Sequence, residues 1–245
     1  MAARTQELAD ANEALRNQSL TDPLTGLRNR RFLDACMPED VAQVQRIQRE
    51  VASTTSDRMK LNVDVLFIMV DIDHFKQVND RYGHHAGDLV LKQMSEILRN
   101  AMRTSDTITR WGGEEFLIVA RNAARADAAI PAERIRAAME AHLFDIGEEQ
   151  PIRCTCSLGF SIFPFLPNET ALFSWDRIVE VADACLYTAK RNGRNAWVGI
   201  IPNATGMDAA SKKNIPKSVP DLVKAQQFPA VTSLKNPIHW ESSGK

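Results

Sequence analysis

Several features are scarce in this chain, and each scarcity excludes a class. Its 245 residues hold four cysteines, Cys36, Cys154, Cys156 and Cys185. None forms a CxxC pair or a Cys/His zinc spacing, which argues against a disulfide framework or a zinc module and fits reduced thiols in a core. Long apolar runs are missing too: the longest clean one is Val65–Val70, far short of a membrane span. An excess of either charge is absent, since 30 Lys+Arg and 31 Asp+Glu nearly cancel. A general attraction to nucleic acid or to an anionic membrane is therefore not expected, and any phosphate site must be local. No secretory leader pattern is visible. The expectation is a soluble, cytoplasmic protein or domain.

What is present is ordinary in bulk: 44% hydrophobic and 25% charged residues, enough for one domain with extensions. Residues 1–20 are rich in helix formers, with Leu8, Ala11 and Leu15 at heptad-like spacing, either a frayed helix or the stub of a coiled coil. Asp22-Pro23-Leu24-Thr25-Gly26 is turn chemistry. A helix is expected from about Arg28, interrupted at Pro38, with a second through Val41–Val51. Val63–Val70 reads as a buried strand closed by Asp71 and Asp73. Ala86–Met102 has a helical apolar face. Next come a hairpin, a helix within Ala124–His142, a strand over Arg153–Phe163 with Gly159 as a bulge, a helix over Trp175–Lys190 stopped by Asn192-Gly193, and a final strand over Ala196–Ile201. This order predicts an α+β fold, with helices packed on a mostly antiparallel sheet. The expected division is a signalling or coiled-coil-like helix at 1–20, one domain at 21–201, and a flexible tail at 202–245.

Within the hairpin stands RWGGEEF, Arg110 to Phe116. Gly112-Gly113 can take the positive φ of a tight turn and leave a ligand free to approach. If the hairpin packs beside the Val63–Val70 strand, Glu114 comes near Asp71. Carboxylates converging at a sheet edge repel unless something positive lies between them, and hard oxygen donors suit Mg²⁺ or Mn²⁺. That is a layout for two-metal phosphoryl transfer, with two cations per active site.

DIDHFKQVND (71–80), RYGHHAGD (81–88) and RWGGEEF (110–116) closely resemble the GGDEF domain of the diguanylate cyclase family, in its GGEEF form. LTDPLTGLRNRRF (20–32) and VADACLYTAKRNGRNAW (181–197) are similar to that family's opening and closing segments. The resemblance implies a palm-like fold and condensation of two GTP into cyclic di-GMP with release of two pyrophosphates. Each domain of a homodimer then binds one GTP. It further implies Asp71, the Ile72 carbonyl and Glu114 as metal ligands, Glu114 as the base, and Asp73 as structural. Asn79 and Asp88 match the guanine readers, with His84 beside them and Gly113 against the substrate. An acidic side chain suits guanine, whose N1–H and N2–H₂ donate along one edge. Lys76, Lys190 and Arg194 match triphosphate ligands, and Arg110 is a candidate to join them.

Arg103-Thr104-Ser105-Asp106 fits the family's RxxD motif, where cyclic di-GMP binds as an inhibitor, with Arg134 or Arg136 as an added contact. The stretch between Phe32 and Asp71 is longer than the family's usual by about ten residues, and the tail has no counterpart in it. An upstream sensory domain or partner is implied as well. The alternative to an enzyme is a non-catalytic module that binds GTP or cyclic di-GMP and signals by protein contact.

Overall fold

Val65 to Val70 carry no polar interruption, as in a strand buried on both faces. They lie in the middle of β2 (Asp64–Ile72). The computed structural model describes residues 20–53, 63–167, 169–202, 222, 228 and 230–240. Except for Leu20, the expected N-terminal helix lies outside the described residues. The other elements, in chain order, are β1 (Arg28–Asn29), α1 (Arg30–Ser53), α2 (Phe75–Ala101), β3 (Thr107–Gly112), β4 (Glu115–Ala123), a 3-10 turn (Arg125–Asp127), α3 (Ala129–Ala141), β5 (Cys156–Phe163), α4 (Trp175–Arg191), β6 (Trp197–Ile200) and β7 (Ala230–Thr232).

They build a seven-stranded sheet in the order β1-β3-β4-β2-β5-β6-β7. β2 sits between β4 and β5 and runs antiparallel to both. The β3–β4 and β6–β7 pairs are also antiparallel, whereas β1–β3 and β5–β6 are parallel. Side chains of a strand alternate between faces, and β2 does so cleanly. Leu66, Ile68, Val70 and Ile72 enter one apolar cluster with Val90 and Leu98 of α2 and Ile135 and Met139 of α3. Val65, Phe67 and Met69 enter the other, with Leu33 and Met37 of α1 and Val181 and Cys185 of α4. This is the expected α+β arrangement, with both faces of the sheet covered. Cys154, Cys156 and Cys185 are buried, as a core reading requires.

Four local expectations are corrected. Pro38 lies inside one continuous helix, α1, instead of dividing two. The fully buried Leu33 and Met37 and the nearly buried Val44 anchor the helix on both sides of the proline, so packing outweighs the missing hydrogen bond. The helix expected from Ala86 begins at Phe75 and passes through a break at Gly83. Gly159 is no bulge, because it pairs in register with Met69. Its role is close approach: a Cβ there would collide with the backbone of α4 at Ala182 O and Leu186 N. Finally, β6 is not the last strand. Ala230–Thr232 of the tail pairs with it as β7, and Leu222 and Phe228 are buried in the second cluster. Polar composition hid these few apolar residues, so the described parts of the tail are docked rather than loose.

Gly159→Ala should push α4 off the sheet and destabilise the fold by about 1–3 kcal/mol, the usual range for overpacking. Urea unfolding of the two proteins compares them directly.

Candidate active site

The end of β2 brings the acids together. Asp71 pairs across the ladder with Glu115 of β4 on one side and Ser157 of β5 on the other. Gly112 pairs with Glu115, which leaves Gly113-Glu114 as a two-residue turn. Gly113 takes φ 51°, a left-handed value that suits glycine. Among the described residues, no atom outside the adjoining residues lies within 4 Å of where a side chain would start at Gly112 or Gly113, so both face open space.

Asp71 is only 5% exposed. Lys190, in the last turn of α4, places Nζ 2.7 Å from its Oδ2. Burial raises the Asp71 pKa to about 6; Lys190 pulls it down, while Glu114 and Glu115 push it up. Ile72, next along β2, is 1% exposed and pairs with Cys156. Among the described residues, no three His, Cys, Asp or Glu side chains converge as a ready metal cage. The donor set nonetheless fits a hard divalent cation: the buried Asp71 and the half-buried Glu114 leave negative charge in excess of one lysine, and backbone carbonyls are natural additional donors.

Asp73 follows two residues later and is used otherwise. Thr155 Oγ1 and Ser157 Oγ each donate to its carboxylate at 2.7 Å, and the Asn195 N–H donates at 3.0 Å. Asp73 therefore ties β2 to β5 and to the turn after α4, as a structural residue would.

α2 starts just beyond β2 and carries Lys76, Asn79, His84 and Asp88. Lys76 and His84 are exposed, whereas Asn79 and Asp88 are half-buried. Asn79 Oδ1 fills the space that a side chain at Gly87 would need, so the glycine sets where that amide sits. Arg194 is exposed at φ 61° in the turn leaving α4. Arg110 is committed elsewhere: it pairs with Asp22 at 3.1 Å and donates to the Gly113 carbonyl at 3.0 Å. These contacts brace the hairpin.

The RxxD residues lie apart from this edge, at the turn between α2 and β3. Arg103, Asp106 and Arg134 line a cavity of about 180 Å³ with Met102, Arg121 and Ile130. Asp106 Oδ2 accepts from the Arg103 N–H at 2.9 Å, and its Oδ1 is buried with no hydrogen-bond partner among the described residues. Arg136 points away from the cavity into a network with Glu133, Glu140 and Asn195. Glu133, Arg136 and Glu140 are neighbours at i,i+3 and i,i+4 spacing along α3; only the contact to Asn195 was illegible in the sequence, because it forms when α3 meets the turn after α4.

Fold and site together define an α+β domain with an acidic edge suited to a divalent cation and a basic turn beside it. Residues 19–196 match the family described as "Diguanylate cyclase, GGDEF domain", and the chain belongs to that family. It is 40% identical over 183 residues to diguanylate cyclase DgcP of Pseudomonas aeruginosa, covering 75% of this chain and 24% of that protein. It is 33% identical over 211 residues to diguanylate cyclase A of Treponema denticola, covering 86% of this chain and 49% of that protein. The chain thus spans from about a quarter to about half of the length of these curated relatives. Among solved structures it resembles the coiled coil and GGDEF domain of DgcB from Caulobacter crescentus in complex with c-di-GMP. That likeness has a TM-score of 0.64 at 26% identity and covers 79% of this chain and 92% of that one. No helix among the described residues is long and apolar enough to cross a membrane.

Asp73→Ala should lower stability by on the order of 3 kcal/mol, since it strands the buried Ser157 hydroxyl and two further donors. Thermal and urea unfolding check this.

Proposed function

We propose that this chain is a diguanylate cyclase, joining two GTP into cyclic di-GMP and releasing two pyrophosphates. The observation that carries the reading is the buried Asp71 carboxylate near Glu114, with Lys190 at 2.7 Å. In each of two steps a bond forms between the 3′ oxygen of one nucleotide and the α-phosphorus of the other. The bond from that phosphorus to the bridging oxygen breaks, and its electron pair leaves with pyrophosphate.

Glu114 accepts the 3′ proton. Asp71, Glu114 and the Ile72 carbonyl are the groups that would hold Mg²⁺ or Mn²⁺, two per site. Such cations neutralise phosphate charge and ease ionisation of the attacking hydroxyl. Lys76, Lys190 and Arg194 oppose the triphosphate charge, and the open side of Gly112-Gly113 gives the nucleotide room. Asn79, held in place by Gly87, and Asp88 accept from the guanine N1–H and N2–H₂ edge, with His84 next to them. Adenine lacks that donor pair, which favours GTP over ATP. Each chain holds one nucleotide, so attack across two sites requires a homodimer, formed with residues 1–20 or under an upstream sensory domain or partner.

Product inhibition takes place at the RxxD turn. Arg103 and Arg134 border the cavity there, and arginine's fork suits bidentate contact to guanine O6/N7 and to phosphate. The unpartnered Oδ1 of Asp106 is an acceptor in waiting for a base edge.

Purified chain, freed of bound nucleotide and incubated with GTP and Mg²⁺, should yield cyclic di-GMP by mass spectrometry, with a steeper than linear dependence on protein concentration. Absence of product at every concentration, with GTP or cyclic di-GMP still bound, would favour a non-catalytic binding module. Glu114→Gln should lower turnover by about 10²-fold or more, the scale of removing one preorganised group. Arg103→Ala should abolish tight cyclic di-GMP binding in calorimetry and leave GTP turnover intact.

A further inference from the structure

The docked end of the tail does more than extend the sheet. At the end of β7 and just past it, Trp197 O accepts from Thr232 Oγ1 at 2.9 Å and from Ser233 N–H at 3.1 Å, and the Trp197 N–H donates to Ser233 Oγ at 2.9 Å. Leu234, Ile238 and Trp240 pack against the cluster that contains Leu186 and Ala189 of α4. The chain then meets Asn192, the residue that ends α4. The Asn192 amide donates to His239 O at 3.0 Å and accepts from His239 N–H at 2.9 Å. It also donates to Thr188 O at 2.8 Å, so its side chain is bound on every side to backbone.

Asn192 opens a turn in which Gly193, Arg194 and Asn195 all have positive φ, at 121°, 61° and 43°. Asparagine tolerates the left-handed region, but for arginine it is costly and persists where the surroundings hold the backbone. The far end is imposed by Asn195, which is bound to Asp73, Arg136 and Glu140. The near end has Asn192 and its hold on residue 239. Arg194 stands exposed between the two fastenings.

We propose that residues 230–240 act as an intramolecular strap, and that Asn192, its anchor, is a positioning residue that fixes Arg194 toward the triphosphate. The inference rests on the reading above, in which Arg194 binds phosphate. It assigns a task to a segment lying beyond the part of the chain that matches the family, residues 19–196.

The test is calorimetric binding of 3′-deoxy-GTP with Mg²⁺ to the full chain, since that analogue lacks the attacking hydroxyl and stays intact. Asn192→Ala and His239→Pro cut the same contact from opposite sides. Each should weaken binding by roughly fivefold to twentyfold, or about one power of ten in affinity. His239→Ala keeps the backbone groups and should bind as the parent does. In an Arg194→Ala background, Asn192→Ala should add less than about twofold, because the group it positions is gone. Parent-like affinity in both Asn192→Ala and His239→Pro would overturn the strap while leaving the functional reading intact. An equal loss with and without Arg194 would mean that the strap acts through general stability, which also overturns it. A parent chain that does not bind the analogue would overturn the functional reading and the inference together.

Discussion

The ion pair between Asp71 and Lys190 is the constraint around which the site is built. A carboxylate placed at the end of the central strand and nearly sealed from water is strongly disfavoured as an anion unless a cation meets it. Lys190 meets it from a helix on the other side of the sheet's end, at 2.7 Å. That contact depends on α4 lying low over β5, and α4 can lie low because Gly159 has no side chain to hold it away. A glycine in one strand thus sets the electrostatics at the tip of the next.

Two acids two residues apart divide the labour. Asp71 remains under negative pressure from Glu114 and Glu115, which suits a group that receives a cation. Asp73 is surrounded by donors from Thr155, Ser157 and Asn195, which suits a group that holds chain segments together. Strand alternation alone would put both on the same face; the hydrogen-bond environment separates their roles.

The turn from Asn192 to Asn195 is where the support systems meet. Asp73, the α3 network of Arg136 and Glu140, and the tail at His239 all reach it through separate hydrogen bonds. Residues in left-handed conformations need such support, and here it surrounds the basic side chains beside the acidic edge. Rigidity at this turn is a property of the whole fold rather than of the turn's own sequence.

Much of this was written in local sequence. Unbroken apolar residues at Val65–Val70, the glycine pair before Glu114-Glu115 and the RxxD spacing each depend on a few adjacent residues, so periodicity, turn chemistry and motif reading reach them. The α+β class follows from the order of such segments. Other features are pairings between distant segments, for which one sequence carries no signal. The continuity of α1 through Pro38 depends on a cluster supplied by other elements. Gly159 reads as a bulge until α4 is known to rest on it. Arg110 could not be seen to belong to Asp22, nor Asn192 to His239. The sequence by itself determined the buried central strand, the order of most elements, the acidic edge and the family resemblance, because these are encoded by neighbours. Only the tertiary structure decided which charges are paired, which glycine admits a helix and which part of the tail is docked. Those outcomes follow from burial and close packing, which exist only once the sheet has both faces covered.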